Sequence, residues 1–422
     1  MSEQRRQRQT QKTRIWSRNF FLLWQGQLIS GFGDAVYTLA IGFYVLRETG
    51  STSLMGLLMA SNLLPRVLAS TVSGAVADRY PRGRILILMD LLRGSAVIIV
   101  GLLALAGRIE IWFLFAAGAI IGFGSAFFNP AVQSIIPDIV RSEDNLRANS
   151  IFQIAQGSSL VAGNAFGGIL FRLFGPAVLF LFNGVSYLYS AVTELFLKVP
   201  RHVHHGEKPR FRDEVMDGYR FVYANTGLRY LMTAFSGINF FTAMASMLFL
   251  PLFHNVATLG EANYGFAMAT ILLGTIGGMV FTSAKRIPFS RKFRTMVIAS
   301  VVLGACAFPI PFIHYFLPMV PFLLGIGFCI AIISIMINST IQIFVPQEKR
   351  GKILGLTYLV TQGITPVGYV IGGVLSDLIG VRNVLLLAFL MITLIFFYIL
   401  PRKEFHAIIN FDPRVKAGSQ ER

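Results

Sequence analysis

The sequence predicts an all-α membrane protein whose twelve transmembrane helices form two pseudo-symmetric six-helix bundles. Three observations carry that expectation. The 422 residues are 54% hydrophobic and only 14% charged, whereas a soluble domain averages about a quarter charged residues. Apolar stretches of about 20 residues recur along the whole chain, each long enough to cross a hydrocarbon core of ~30 Å. They are continuous, where barrel strands would alternate in segments of about 10 residues. Finally, the halves repeat. NPAVQSIIP (Asn129–Pro137) matches NSTIQIFVP (Asn338–Pro346) at N-x3-Q-x3-P, and QGSSLVAGNAFGGILFRLFG (Gln156–Gly175) matches QGITPVGYVIGGVLSDLIG (Gln362–Gly380) in its glycines. Duplicated halves imply a pseudo-two-fold axis along the membrane normal and a binding cavity between them.

The elements follow in order. Residues 1–18 form a basic tail (Arg5, Arg6, Arg8, Lys12, Arg14, Arg18) suited to anionic lipid. The apolar run behind it is too long for a signal peptide and no small-residue cleavage site follows. Spans are expected at 19–46, 53–76, 85–106, 111–136, 148–174 and 177–197, making an N-terminal bundle of residues 19–197. A polar central loop, 198–227, interrupts the rhythm. Within it Phe211–Tyr223 sets apolar residues among charges, as either a short amphipathic surface helix or a solvated linker. Spans at 228–253, 264–284, 295–314, 316–337, 353–376 and 384–400 make the C-terminal bundle, residues 228–400, before a tail at 401–422. Cys306 and Cys329 fall inside spans, where they serve as small core fillers.

The net charge of +17 would suit nucleic acid, but its distribution argues for topology instead. With both termini cytoplasmic, only Arg47, Arg108, Arg172 and Arg382 fall outside, and Arg66 and Arg93 lie within spans. All other Lys and Arg face inward, which obeys the positive-inside rule. No nucleic-acid partner is expected.

Charges inside spans are costly, so each needs a partner or a task. Asp34 lies about 12 residues from the outer end of span one, and Arg66 about 13 residues from the same face in span two. At matching depth they can pair if they face each other. Burial disfavours an ionised carboxyl and a nearby arginine favours it, so Asp34 and Arg66 are the candidates for proton coupling, with a structural ion pair as the alternative. Asp90 and Arg93, at i and i+3, suit an intrahelical pair assisting a gate. Glu194, at the inner end of span six, is expected to snorkel.

GAVADRYPRGR (Gly74–Arg84) concentrates Asp78, Arg79, Arg82 and Arg84 between spans two and three. Gly74 would allow close helix approach, Asp78 can cap or pair, and the arginines suit phosphate or acidic partners. This pattern, G-x-x-x-D-R-x-x-R-x-R, resembles the signature loop of the major facilitator superfamily, and the resemblance extends over essentially the whole chain. It implies the major facilitator fold and a gating latch made by Asp78 and Arg79. Pro81 and Gly83 depart from the family's usual residues, and the second-half counterpart, Gly278–Arg294, has Thr282 where the acid would stand. Any latch is therefore expected to be asymmetric. GNAFGG (Gly163, Gly167, Gly168) resembles the antiporter motif that marks exporters, with Asn164 in place of Pro. Its glycines would line a face where spans five and eight slide or seal, or alternatively serve small-to-small packing. WQGQLISGFGDAVYTLAIGFYVL, ILILMDLLRG and NPAVQSIIPDIV resemble the macrolide-efflux branch of drug–proton antiporters.

Other motifs are weaker. NPA at Asn129–Ala131 lacks the second NPA of water channels, His202–His205 lacks acids for a metal site, and GFGD at Gly31–Asp34 follows no strand. No catalytic residue, metal or cofactor is expected, and the proton motive force is the expected energy source. The expected protein is a non-enzymatic, proton-coupled exporter of a bulky amphipathic small molecule such as an antibiotic, a functional monomer in the bacterial plasma membrane contacting protons and lipid. Asn129, Gln133, Asn239 and Phe240 are its candidate cavity residues. A dedicated siderophore or metabolite exporter, a nutrient–proton symporter and a non-transporting receptor are the competing readings.

Overall fold

The computed structural model describes residues 16–199, 211–285, 287–345 and 347–411. Among them the regular structure is helical, without strands: α1 (Arg18–Thr49), α2 (Thr52–Arg79), α3 (Arg82–Leu105), α4 (Ile111–Ile139), α5 (Asn145–Glu194), α6 (Phe211–Ala224), α7 (Thr226–Asn255), α8 (Gly260–Ala284), α9 (Phe289–Ala307), α10 (Phe316–Phe344), α11 (Gln347–Ile379), α12 (Val381–Ile399) and α13 (Lys403–Ile409). Among the described residues, eleven helical segments are long and apolar enough to cross a membrane.

Helix α5 holds two crossings. Its 50 residues would span ~75 Å if straight, more than twice a hydrocarbon core. It breaks at Gly175, whose φ of 74° and ψ of 172° lie where a Cβ would be strained. The limbs 145–174 and 176–194 are thus separate spans, giving the twelve that the apolar runs predict. Gly380, the residue that matches Gly175 in the internal repeat, has φ 87° and ψ 148° between α11 and α12. Both halves therefore retain glycine where the chain reverses.

The chain divides into two compact units. The first contains residues 1–50 and 58–207, and the second Ser51–Leu57 with Lys208–Arg422. In the first unit α1 and α3 pack along α5, and α4 packs on α3. Its core includes the fully buried Phe20, Leu86, Phe128 and Ile135. In the second unit α8 packs on α10, α7 on α11 and α12, and α9 on α10. Close approach through small residues is the packing currency, since lipid offers no hydrophobic drive between helices. Phe211–Tyr223 is helical, within α6, and α6 packs on α11.

Within the second unit, the start of α2 is held by a carboxylate. Asp377 of α11 accepts from Thr52 N at 2.8 Å, Ser53 N at 3.0 Å and Ser51 Oγ at 2.9 Å, and from the hydroxyls of Thr52 and Ser53. This caps a helix N-terminus with a residue from another helix, satisfying N–H groups that the helix itself cannot.

Candidate functional site

The first unit contains a buried polar cluster assembled from α1, α3, α4 and the second limb of α5. Asp34 of α1 takes its hydrogen bonds from α5. Tyr187 donates its hydroxyl to Asp34 Oδ1, and Asn183 Nδ2 donates to the same oxygen at 3.3 Å. The limb comes this close because Gly33 has no side chain: a Cβ there would lie 2.6 Å from Asn183 Oδ1.

Arg93 of α3 pairs with Asp90 one turn earlier. Its guanidinium lies 4.3 Å from the Phe128 ring and 4.5 Å from the Tyr187 ring. Nη1 donates to Ser125 Oγ at 3.3 Å and Nε to Met89 O at 3.4 Å. A planar cation between two aromatic faces is a site for arginine specifically. Ser190 donates to Glu194 Oε1 at 3.4 Å and also faces Asp90. Asp90, Arg93 and Glu194 are 0%, 4% and 2% exposed. Asp90 Oδ2 and Glu194 Oε2 are buried without a hydrogen-bond partner. Arg93 is in contact with Asp90, and its charge also acts on Asp34 and Glu194.

Several expectations change here. Asp34 and Arg66 are not joined by an ion pair among the described residues; the arginine acting most strongly on Asp34 is Arg93. Matching depth places two residues at one level but does not decide which faces meet. Gly26 and Gly33 settle that, because both contact α5, at Ser190 and Asn183. Glu194 does not snorkel. It turns inward to Ser190 and Asp90 on a polar stripe, Asn183–Tyr187–Ser190–Glu194, at i, i+4, i+7 and i+11. That spacing was the available signal for Asn183, Tyr187 and Glu194 as site residues.

The signature stretch is helix for most of its length. Helix α2 continues through Gly74 to Arg79, the turn is Tyr80–Pro81, and α3 begins at Arg82. Gly74 is exposed and a Cβ there would meet nothing within 4 Å among the described residues, so the expected close approach is absent. The Asp78 side chain lies outside what is described; Arg79 and Arg84 are exposed. Arg82 is anchored, with Nη1 donating to Asp138 Oδ2 at 2.6 Å and to Ser134 O at 2.9 Å on α4.

The glycine motif on α5 takes the packing alternative within its own unit. A Cβ at Gly163 would fall 2.5 Å from Ala35 Cβ, and one at Gly167 would fall 3.1 Å from Leu39 Cδ1. Gly168 is buried beside them. The face bearing Gly163 and Gly167 is filled by α1, so these two glycines serve packing within the first unit. Of the cavity candidates, Asn129 and Gln133 lie on α4 in the first unit, and Asn239 and Phe240 on α7 in the second. Asn239 Nδ2 donates to Phe235 O at 2.8 Å, and the Phe240 ring stands edge-on to Phe241 at 4.9 Å. The histidines at 202–205 and the basic residues before Trp16 lie outside the described residues.

The profile of a family described as transmembrane secretion effectors matches residues 14–415. Macrolide efflux protein A of Streptococcus pyogenes is 23% identical over 396 residues, covering 90% of this chain and 94% of its own. The multidrug efflux pump Tap of Mycobacterium tuberculosis is 26% identical over 376 residues, covering 86% and 88%. Among solved structures, a bacterial homologue of the iron transporter ferroportin in an inward-facing state superposes with a TM-score of 0.71 at 17% identity, covering 91% of this chain and 99% of the other. At that identity the likeness concerns the fold.

Proposed function

Because the chain belongs to the transmembrane secretion effector family of the major facilitator superfamily, we propose that this membrane transporter is a proton-driven exporter of bulky amphipathic drugs in the bacterial plasma membrane, with both termini cytoplasmic. The drug class is inferred from the efflux proteins it resembles along nearly their whole length. Alternating access between the two six-helix repeats moves the substrate, and the proton gradient supplies the energy.

The observation that carries proton coupling is the buried cluster around Arg93. Fully ionised, Asp34, Asp90 and Glu194 would outnumber Arg93, and even with Arg66, whose charge also reaches Asp34, one negative charge would remain uncompensated. Uncompensated charge in a low-dielectric interior costs several kcal/mol per ion, and a bound proton removes it. Asp34 is the proton site that exchanges, because it is only partly buried while Asp90 and Glu194 are closed in. Tyr187 links the two regions: its hydroxyl holds Asp34 and its ring stacks on Arg93. Gain or loss of a proton at Asp34 therefore changes the load on Arg93 and on the packing of α1 against α5.

The test is accumulation of a panel of fluorescent drugs in cells with and without the protein. Lower accumulation that disappears with an uncoupler supports the reading. Substrate uptake, or export indifferent to the uncoupler, overturns it.

A further inference from the structure

A second polar feature lies in the second unit, where α7 begins. The first three turns of α7 and the end of α12 enclose a crevice of about 500 Å³, lined by Thr226, Arg229, Tyr230, Thr233, Gly237 and Tyr398 among others. Small-molecule sites commonly measure ~300–1,000 Å³. None of the lining residues is acidic.

Its polar end is cationic and short of acceptors. Arg229 Nη2 donates to Thr226 Oγ1 at 3.0 Å, and its guanidinium lies 4.9 Å from the Tyr223 ring. Its Nε–H is buried and has no acceptor. The Nε itself is closed off, so an anion in the crevice would meet the Nη donors of Arg229, whose Nη2 already reaches Thr226. Arg402 stands at the rim, 4.8 Å from the Tyr398 ring and 5.8 Å from the Tyr230 ring. Asn225, the cap of α7, makes no side-chain hydrogen bond to the first turn. The partial positive charge of a helix start therefore adds to the two arginines.

Deeper along the crevice the chemistry changes. Ala234, Gly237, Ile395 and Ile399 continue the wall as apolar surface. A ligand complementary to both ends carries an anionic head and an apolar tail. We propose that this crevice binds the headgroup of an anionic phospholipid, with the phosphate at Arg229, Thr226 and Arg402 and an acyl chain along Gly237 and Ile395. Assignment to the inner leaflet rests on the orientation proposed above; binding itself does not depend on that reading or on the transported substrate.

The test is native mass spectrometry of the purified full chain with added phosphatidylglycerol, phosphatidylethanolamine or inorganic phosphate. Phosphatidylglycerol should bind about tenfold more tightly than phosphatidylethanolamine: both carry the phosphate, but the ethanolamine ammonium neutralises it and is repelled by Arg229 and Arg402. Arg229→Gln should lose about tenfold, and Arg229→Lys less. Thr233→Phe, which fills the crevice without removing a charge, should lose it as well and decides the matter if Arg229→Gln fails to fold. Equal retention of the two lipids, displacement of phosphatidylglycerol by equimolar inorganic phosphate, or unchanged binding in Thr233→Phe would each overturn the proposal.

Discussion

Tyr187, on the second limb of α5, donates its hydroxyl to the Asp34 carboxylate of α1 while its ring lies 4.5 Å from the Arg93 guanidinium. A single side chain thus joins the expected proton site to a buried ion pair on a third helix. Tyr187→Phe keeps the ring and removes the hydroxyl. Drug export should fall by about tenfold, the scale of one hydrogen bond to a charged group, with the melting temperature nearly unchanged. Initial efflux rates at fixed expression check this; wild-type rates would separate Tyr187 from coupling.

Arg93 should be costly to replace. Removing one partner of a buried pair leaves the other charge uncompensated and costs about 3–5 kcal/mol. Arg93→Ala should therefore lower thermal stability strongly. Arg93→Lys should rescue it only in part, because an ammonium cannot stack as a plane between Phe128 and Tyr187. Thermal melts in one detergent compare the three proteins.

Glu194→Gln should behave in the opposite way. The amide oxygen keeps the Ser190 hydrogen bond, and the change removes a buried negative charge that acts against Asp90. The melting temperature should stay level or rise by a few degrees. A drop as large as that of Arg93→Ala would show that Glu194 is needed as an anion.

At the start of α3, Arg82 and Asp138 should couple energetically. Their contact of 2.6 Å joins side chains that are 16% and 9% exposed, more sheltered than a surface pair. A double-mutant cycle with Arg82→Gln and Asp138→Asn should give a coupling of about 1–3 kcal/mol. Additive single mutants would reduce the contact to a surface ion pair.

Asp377→Ala should destabilise the protein by about 2 kcal/mol, because it uncaps α2 and strands the Thr52 and Ser53 N–H groups. Asp377→Asn should recover part of that, since its amide oxygen still accepts. Thermal unfolding of both variants measures the difference.

The spans were legible because their signal is local: an apolar run of sufficient length has few other uses. The repeat was legible for a related reason, and Gly175 and Gly380 show why it persisted, since both take positive φ at the same place in each half. Asp34, Asp90 and Arg93 stood out as charges in apolar surroundings, and the i, i+3 spacing placed the last two on one face. Which helix faces Asp34 was not local information. Depth along the membrane suggested Arg66, whereas the small residues Gly26 and Gly33 bring α5 against α1. The polar stripe Asn183–Tyr187–Ser190–Glu194 was visible in the letters, but each residue alone is tolerable in a span. Gly74 and Gly163 illustrate the converse: motif membership suggested gate surfaces, while the first is exposed and the second is packed under α1.

Proton exchange at Asp34 driving drug export can be read in proteoliposomes holding a pH-sensitive dye. Addition of a fluorescent lipophilic drug should move protons across the wild-type membrane and none across one containing Asp34→Asn, with both proteins folded. Equal proton movement in the two preparations would show that Asp34 does not carry the proton.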